Sequence, residues 1–337
     1  MTDLAGAAPR RRRATSADVA REAGVSRTTV SFVLNNSPHK ALPEETRQRV
    51  LDAAVRLSYA PSAEARALSR GRSDVVLMIL PPALPLTADV GELLEHLSAS
   101  FLRKGLSLMT LTWTERIGVD TWTAVTPAAV IAWKLDDTDA EQMRRSGVNI
   151  VTSLTGSDAI GRWVTGLRED EIAQRQVDRL RSAGHLTLGY AIPDDDRLRD
   201  AAQLRASALE RVCARYGLAA PIAVRVPHEP LLAAESVRSW RQASPPVTGI
   251  CAHDAVAGLA VLAGAREAGL RVPEDFAVVG VNDSPAAALA APPLTMVTID
   301  AKTSADYIVS VVTSMLAGRL ADEPGPTVTG VVERQSV

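Results

Sequence analysis

GVSRTTVSFVLNN, residues 24–36, is the stretch of sequence that decides how the first part of this chain folds. Ser26 is a helix-capping residue type, and it predicts a helix that runs from there to about Asn35. At 100° per residue, Val30, Val33 and Leu34 fall on one side of that helix. The other side carries Arg27, Thr28, Ser31, Phe32 and Asn35. We expect the apolar side to pack inward and the polar side to face a partner.

A second short helix is predicted immediately before this one. Thr15 and Ser16 can cap the segment SADVAREAG, and Gly24 is typical of a helix end. Val19, Ala20 and Ala23 share one side of that segment. Two short helices joined by Gly-Val-Ser have the spacing of a helix-turn-helix, whose second helix can enter the major groove of DNA.

A third helix and a weaker helical segment follow. Pro43 is a good first-turn residue, and Val50, Ala54 and Leu57 recur at inward spacing, so this helix closes a three-helix head. Tyr59-Ala60-Pro61 then breaks the helix. The next segment, PSAEARALSRG, offers about two helical turns, which are too short to hold alone in water. We expect this hinge segment to fold on its partner.

The charge of the chain is divided unevenly. Residues 1–73 hold 13 Arg and Lys against 7 Asp and Glu, a balance of +6, whereas the remainder holds 24 against 32, a balance of −8. A basic end on an acidic body is typical of proteins that bind a polyanion. The run Arg10–Arg13 either trails along phosphates or forms a solubilising tail.

Residues 74–337 have an alternating pattern of strands and helices. Eight short apolar runs precede or follow helical segments, namely DVVLMIL, LSLMTL, AAVIAW, NIVTSL, HLTLGYAI, IAVRV, TGICA and FAVVGV. This order predicts an α/β domain with parallel sheets, helices on both faces and two lobes. Ligands bind such folds at the carboxyl ends of the strands, here the cleft between the lobes.

Several classes of protein are disfavoured by the sequence. The longest small-apolar run has 11 residues and stops at Arg266, short of the roughly 20 that a membrane-spanning helix needs. The first residues have the wrong order for a secretory signal, so we expect a cytoplasmic protein without a membrane partner. Cys213 and Cys251 are expected to be small buried residues, and we expect no cofactor and no metal. The sequence contains no G-x-S-x-G motif, P-loop, dinucleotide-binding glycine motif or His-Glu-x-x-His motif. The neighbours His253 and Asp254 are not expected to form a catalytic dyad. We therefore expect no enzyme activity and no catalytic residue.

TSADVAREAGVSRTTVSFVLNNSP and PEETRQRVLDAAVRLSYAPSAEARALSRGRS resemble the DNA-binding head and hinge of the lactose-repressor (LacI/GalR) family of bacterial transcription regulators. The segment that begins with GICAHDAVAGLAVLAG at residue 249 resembles the carboxyl-terminal part of the family's effector domain, which is similar to periplasmic sugar-binding proteins. REDEIAQRQVDRLRSAGHLTLGYAIP, which begins at residue 168, resembles the start of the second lobe. Residues 81–165 match poorly. The resemblance implies these divisions: an arm at 1–14, a head at 15–60, a hinge at 61–73 and a two-lobed domain at 74–337. Lobe 1 is expected at about 74–166 and 294–322, and lobe 2 at about 167–293 and 323–337.

The resemblance also implies roles for single residues of the head and hinge. Arg27 and Thr28 match the principal base readers and Ser31 lies on the same face, while Thr15, Ser26 and Asn35 match contacts to the DNA backbone. Phe32 stands where the lactose repressor has a base-reading Arg; it either packs on a thymine methyl or folds back against the third helix. His39 either touches phosphate or is a solvated loop residue. Ala65 and Leu68 match residues with which paired hinge helices enter the minor groove.

In the cleft the sequence departs from the family's pattern. Arg205 matches a ligand-gripping Arg, His253 stands where an Asn is usual, and Asn282 replaces an Asp that accepts from sugar hydroxyls. Each also has an ordinary interpretation: a surface charge, a helix cap and a turn residue. Asp254 is expected to serve the start of its helix. The replacement of the carboxylate weakens the case for a free sugar as the ligand.

We therefore expect a sequence-specific transcriptional repressor that binds a palindromic operator as a homodimer, with affinity modulated by a small molecule in the cleft. One alternative is an effector-independent regulator with a degenerate cleft. The other is a small-molecule-binding or enzymatic domain with a vestigial head.

Overall fold

The computed structural model describes residues 14–34, 42–59, 73–81, 87–113, 125–135, 137–148, 150–155, 169–319, 326 and 329–337. The chain divides into two compact units, residues 1–74 with 125–127 and residues 75–124 with 128–337. Most of the predicted arm and most of the hinge lie outside the described residues, and so do Asn35, His39, Ala65 and Leu68, for which DNA contacts are predicted. Within the described part, no helix is long and apolar enough to cross a membrane.

The first unit contains the three predicted helices, α1 Ser16–Ala23, α2 Arg27–Leu34 and α3 Glu44–Arg56. Gly24 ends α1 in the left-handed conformation with φ of 66°, which costs a glycine little. The small core consists of buried Val and Ala side chains from all three helices: Val19, Ala20, Ala23, Val30, Val33, Val50, Ala53 and Ala54. The predicted inward sides of the helices are therefore confirmed.

The second unit contains two sheets. Its first lobe has a four-stranded parallel sheet in the order β2-β1-β3-β4. The elements are β1 Val75–Leu80, α4 Ala88–Arg103, β2 Ser107–Thr112, β3 Ala129–Lys134, α5 Asp137–Arg145 and β4 Val151–Thr155. Alternate residues of β1 and β3 point to opposite faces of the sheet, so both faces are apolar and each is covered by helices.

The second lobe has a six-stranded sheet in the order β10-β9-β8-β7-β5-β6, parallel except for β10. Its elements are α6 Glu169–Ser182, β5 Leu188–Pro193, α7 Arg199–Arg215, β6 Ile222–Val226, α8 Pro230–Gln242, β7 Gly249–Ala252, α9 Ala255–Glu267, β8 Ala277–Val281, α10 Pro285–Ala288, β9 Thr295–Ile299, α11 Ala301–Leu316 and β10 Thr329–Val332. Helices α6 and α7 pack on one face, and α8 and α9 pack on the other. The α/β fold with parallel sheets is confirmed.

One predicted lobe boundary is corrected. Residues 294–299 were expected in lobe 1, but β9 pairs in parallel with β8 and so belongs to the second sheet. The return to the first lobe comes instead at α11, which packs against α4 there. An apolar run such as TMVTI indicates a strand, but it does not say which of two sheets that strand joins.

Candidate DNA-reading face and inter-lobe cleft

Helix α1 is fixed at its start by a reciprocal cap. The backbone N–H of Asp18 donates to Thr15 Oγ1 at 3.3 Å, and the backbone N–H of Thr15 donates to Asp18 Oδ2 at 2.9 Å. Two of the N–H groups at the helix start are thereby satisfied. The Thr15 hydroxyl also donates to Asp18 Oδ2 at 2.7 Å. Thr15 therefore serves the helix start.

Helix α2 is capped by Ser26 in the predicted way. The backbone N–H of Thr29 donates to Ser26 Oγ at 3.0 Å, and the two side-chain hydroxyls lie 2.9 Å apart. The cap fixes the direction in which α2 leaves the turn after Gly24. Arg27 and Thr28, in the first turn of α2, are exposed beside this helix start.

The two sides of α2 differ in burial as the sequence predicts. Val30 and Val33 are buried in the core of the head, whereas Arg27, Thr28 and Ser31 are exposed. Phe32 is partly buried, and this degree of burial is compatible with both interpretations of that residue. An exposed row of one Arg and small hydroxyl residues on a rigid helix has the chemistry for reading base edges.

The second candidate site lies at the carboxyl ends of the strands in the second lobe. His253 and Asp254 follow β7, Asn282 follows β8, and Arg205 lies on α7. These are the ends of parallel strands, where open α/β sheets bind ligands. The three predicted ligand residues are therefore carried by the strand ends and one neighbouring helix of the same lobe.

Arg205 is not a surface charge. It is 5% exposed, its Nε donates to Glu169 Oε2, and its Nη1 lies 3.5 Å from the carbonyl oxygen of His253. Glu169 is the first residue of α6, so the ion pair joins α6 to α7. A buried Arg needs such a partner because an unpaired buried charge is strongly unfavourable. The pair also neutralises the positive charge that a ligand would meet.

His253 is buried and bound to Tyr190 of β5. Its Nδ1 lies 2.7 Å from the Tyr190 hydroxyl, and that hydroxyl donates to the carbonyl oxygen of Ala202 at 3.2 Å. If the hydroxyl gives its one proton to Ala202, Nδ1 carries a hydrogen and donates to Tyr190. Burial, with the neighbouring Arg205 charge, lowers the pKa of His253 to about 3. The ring is neutral at pH 7, and in that tautomer Nε2 is its acceptor atom.

The helix start after β7 belongs to Asp254 and not to His253. Asp254 accepts from the backbone N–H of Ala257 at 2.7 Å and caps α9. Burial raises the pKa of Asp254 from its ordinary value, with a smaller contribution from the negative charge of Asp89. The expectation for Asp254 agrees with this geometry, and the helix-cap interpretation of His253 does not.

Asn282 has a left-handed backbone with φ of 64°, which Asn tolerates better than most residues. Its Nδ2 donates to Asp89 Oδ2 at 2.8 Å. Asp89 lies in the first turn of α4, so this hydrogen bond connects the second lobe to the first. Asn282 is thus both a turn residue and a cleft residue.

Three partners in the cleft were not predicted from the sequence: Glu169, Tyr190 and Asp89. Glu169 lies 36 residues from Arg205, and Asp89 lies 193 residues from Asn282. No periodicity relates residues at such separations. A buried Gln176, which donates to the carbonyl oxygens of Ala252 and Val279 at 2.8 and 3.0 Å, also joins the end of β7 to the middle of β8.

Comparison with known proteins finds matches in both units. Residues 15–62 match the family model described as bacterial regulatory proteins, lacI family, and residues 177–337 match the periplasmic binding protein-like domain. The HTH-type transcriptional repressor PurR of Haemophilus influenzae is 27% identical over 299 residues, covering 84% of this chain and 85% of that protein. The HTH-type transcriptional regulator CelR of Thermobifida fusca is 29% identical over 322 residues, covering 86% and 87%.

Solved structures agree with these sequence matches. The crystal structure of the lac repressor dimer bound to operator and the anti-inducer ONPF aligns with a TM-score of 0.71 at 22% identity, covering 96% of this chain and 99% of that one. At that identity the likeness concerns the fold: a helix-turn-helix head followed by a two-lobed α/β domain.

Proposed function

The chain belongs to the LacI family of bacterial regulatory proteins, and from that premise we propose that it is a sequence-specific repressor that binds a partly palindromic operator as a homodimer. The observation that carries the proposal is the exposed face of α2, where Arg27, Thr28 and Ser31 lie over a buried Val30 and Val33. A helix of this kind fits the major groove, and the charge of +6 on residues 1–73 favours phosphate contact.

Within this proposal each part of the head has a distinct role. Arg27 and Thr28 read base edges, because side chains in the groove distinguish base pairs by their donors and acceptors. Thr15 and Ser26 contact phosphates beside their helix starts, where helix N-termini favour anions. Asn35 and His39 are proposed as further backbone contacts. Two-fold symmetry of a dimer places two such heads on two half-sites.

In vitro selection tests DNA recognition. The purified full-length protein is incubated with a random DNA pool at a fixed near-physiological salt concentration, because affinities for DNA depend steeply on salt. We expect recovery of a palindrome with two half-sites about one helical turn or a multiple apart. Recovery of a single unpaired half-site would contradict the dimer, and recovery of no motif by a folded protein would contradict unaided sequence reading.

The hinge is proposed to contact the minor groove through Ala65 and Leu68. An apolar wedge such as Leu68 unstacks one base step and bends the duplex, which brings more protein surface onto the DNA. We predict that Leu68→Ala keeps nonspecific affinity but lowers the preference for operator over random DNA by about tenfold. Competition binding with operator and random duplexes measures this ratio, and equal losses on both would contradict the wedge.

The cleft is proposed as an effector site in which Arg205, His253 and Asn282 contact a small molecule. His253 presents a neutral acceptor at Nε2, while Arg205 is already neutralised by Glu169. Such a site suits an uncharged ligand with hydrogen-bond donors better than a strong anion, since an anion would have to displace Glu169.

A second candidate function is an effector-independent regulator. It is favoured by the internal pairing of all three proposed contact residues, with Glu169, Tyr190 and Asp89 respectively. Thermal-shift screening with sugars, nucleosides, amino acids and phosphorylated metabolites separates the two candidates. A compound that raises the melting temperature and also changes operator affinity removes the effector-independent candidate.

We further propose that the protein acts in the cytoplasm, and by binding without catalysing a reaction. Its curated relatives PurR and CelR carry regulator names, and the sequence has none of the catalytic motifs sought. Among the described residues, no group of three or more His, Cys, Asp and Glu side chains could hold a metal ion.

A further inference from the structure

The hydrogen bond between Asn282 and Asp89 joins elements that follow strands of the two different sheets. Asn282 is the first residue after β8 in the second lobe, and Asp89 lies in the first turn of α4, the helix that follows β1 in the first lobe. Asn282 Nδ2 donates to Asp89 Oδ2 at 2.8 Å. The bond therefore joins the carboxyl end of β8 to the start of the helix after β1, and the lobes cannot separate without breaking it.

The backbone holds Asn282 firmly in the orientation that this bond requires. The residue has φ of 64°, and its backbone N–H donates to the carbonyl oxygen of Val297 in β9 at 2.9 Å. Asn is one of the few residues besides Gly that adopt this conformation at modest cost. The side-chain amide thus projects from a defined point at the end of the second sheet.

The other polar atom of the same amide limits the strength of the bond. Asn282 Oδ1 is buried and has no hydrogen-bond partner among the described residues. A buried acceptor without a partner is unfavourable, whereas water would satisfy that atom if the lobes parted. The cost at Oδ1 therefore offsets part of the gain at Nδ2. A contact balanced in this way is suited to opening and closing.

The charges around the bond explain why a neutral donor is needed at position 282. The negative charge of Asp89 is close enough to Asp254 to contribute, after burial, to its raised pKa. Two carboxylates from opposite lobes therefore oppose closure. A third carboxylate at position 282 would face Asp89 directly, whereas the Asn282 amide attracts it.

We propose that the Asn282–Asp89 hydrogen bond is a clasp that holds the two lobes together when no ligand lies between them. Closure is then a property of the chain itself and does not depend on a bound effector. A ligand changes the balance only to the extent that it binds the open and closed arrangements with different affinity. The clasp concerns the two-lobed domain alone, so it does not rest on the proposed binding of DNA.

Distance measurement between spin labels on the two lobes tests the clasp in the full-length, ligand-free protein. The labels are attached at Ser98→Cys on α4 and Glu210→Cys on α7, both exposed positions. The native Cys213 and Cys251 are fully buried and should not react with the label. We expect one narrow distance distribution in this labelled parent protein.

Exchange of the two side chains is the decisive variant. Asn282→Asp places two carboxylates opposite each other, and we expect the open population to rise about tenfold or more, as a second, longer distance. The double variant Asp89→Asn with Asn282→Asp restores a donor and an acceptor with their places reversed, so the distribution should return to that of the parent. The single variant Asp89→Asn is the matched control, since its Oδ1 still accepts from Asn282.

Two results would overturn the clasp: an Asn282→Asp distribution identical to that of the parent, or a double variant as open as Asn282→Asp. Circular dichroism and thermal melting check that each variant is folded. If Asn282→Asp does not fold, Asp89→Ala replaces it, because that position is only partly buried on a helix surface. An unchanged distribution in Asp89→Ala would equally overturn the proposal. Operator binding is measured separately, so its failure would leave these outcomes unaffected.

Discussion

The exposed face of α2 and the inter-lobe cleft hold their polar residues in opposite ways. Arg27, Thr28 and Ser31 are exposed on a helix whose other side is core. In the cleft, Arg205 and His253 are buried and already bound to Glu169 and Tyr190. A partner of α2 therefore meets side chains that face solvent, whereas a ligand of the cleft must exchange existing hydrogen bonds for its own.

Because of this difference, we expect mutations on the exposed face of α2 to affect DNA binding and mutations in the cleft to affect folding stability. Exposed side chains contribute little to folding, so their loss should be felt when DNA binds. Buried paired side chains contribute to folding because the removal of one partner leaves the other unsatisfied. Mutations in the two regions should therefore have different signatures, and four changes test this, from the largest expected effect to the smallest.

Arg205→Ala should have the largest effect, and the effect should be on stability. It leaves Glu169, whose side chain is 22% exposed, without its guanidinium partner, and we expect a loss of about 3 kcal/mol in the free energy of unfolding. Urea denaturation followed by circular dichroism measures this loss. The control is the double variant Arg205→Met with Glu169→Leu, which removes both charges. Its free energy of unfolding should fall much less than that of Arg205→Ala. If the double variant is as unstable as Arg205→Ala, the ion pair is not the cause.

Arg27→Ala should show the opposite signature. Its side chain is exposed on α2, so we expect an unchanged free energy of unfolding and a loss of about 2 kcal/mol, roughly thirtyfold, in affinity for the selected operator. Fluorescence anisotropy with labelled operator measures the affinity. Arg238→Ala, which removes an exposed Arg from α8 in the two-lobed domain, is the matched control and should bind as the parent does. Equal affinity of the two variants would refute base reading by Arg27.

His253→Asn should change the response of stability to acid. The folded-state pKa of about 3 lies below the ordinary value of 6.5. Protons therefore bind the unfolded chain first, and stability is fully present above pH 6.5 and is lost as the pH falls toward 3. Between pH 7.5 and 5.5, protonation of this histidine in the unfolded chain should lower the free energy of unfolding of the parent by about 1.4 kcal/mol. His253→Asn should not show this loss.

Urea midpoints of the parent and of His253→Asn at the two pH values measure that difference. Other groups also titrate in this range, so Ser98→Asn serves as the control, since it places an amide at an exposed position of α4 without removing a titratable group. This control should lose as much stability on acidification as the parent does. If His253→Asn also loses as much as the parent, the imidazole is not held neutral by burial.

The same contrast explains what could be predicted from the sequence. The three helices of the head and the eight predicted strands follow from local periodicity and capping residues, and each is found in the structure. The exposed face of α2 follows from the same local pattern. The partners in the cleft do not, since Arg205 meets Glu169 and Asn282 meets Asp89 only because the sheets bring distant segments together. The sheet to which β9 belongs was mispredicted because strand pairing is also non-local.

Phe32→Arg should have the smallest effect on the affinity for operator DNA. It tests whether Phe32 of α2 contacts DNA or packs in the core of the head. Phe32 is partly buried, so it can either contact a thymine methyl or complete the edge of the head core. If it contacts DNA, an Arg at this position donates to O6 and N7 of guanine, and preference at one base pair of each half-site should move from thymine to guanine by about tenfold. A base-by-base binding scan of the selected operator measures that preference.

Phe32→Leu is the control that keeps an apolar contact and the original preference. An unchanged preference in Phe32→Arg, with a lowered melting temperature in both variants, would assign Phe32 to the core and leave Arg27 and Thr28 as the base readers.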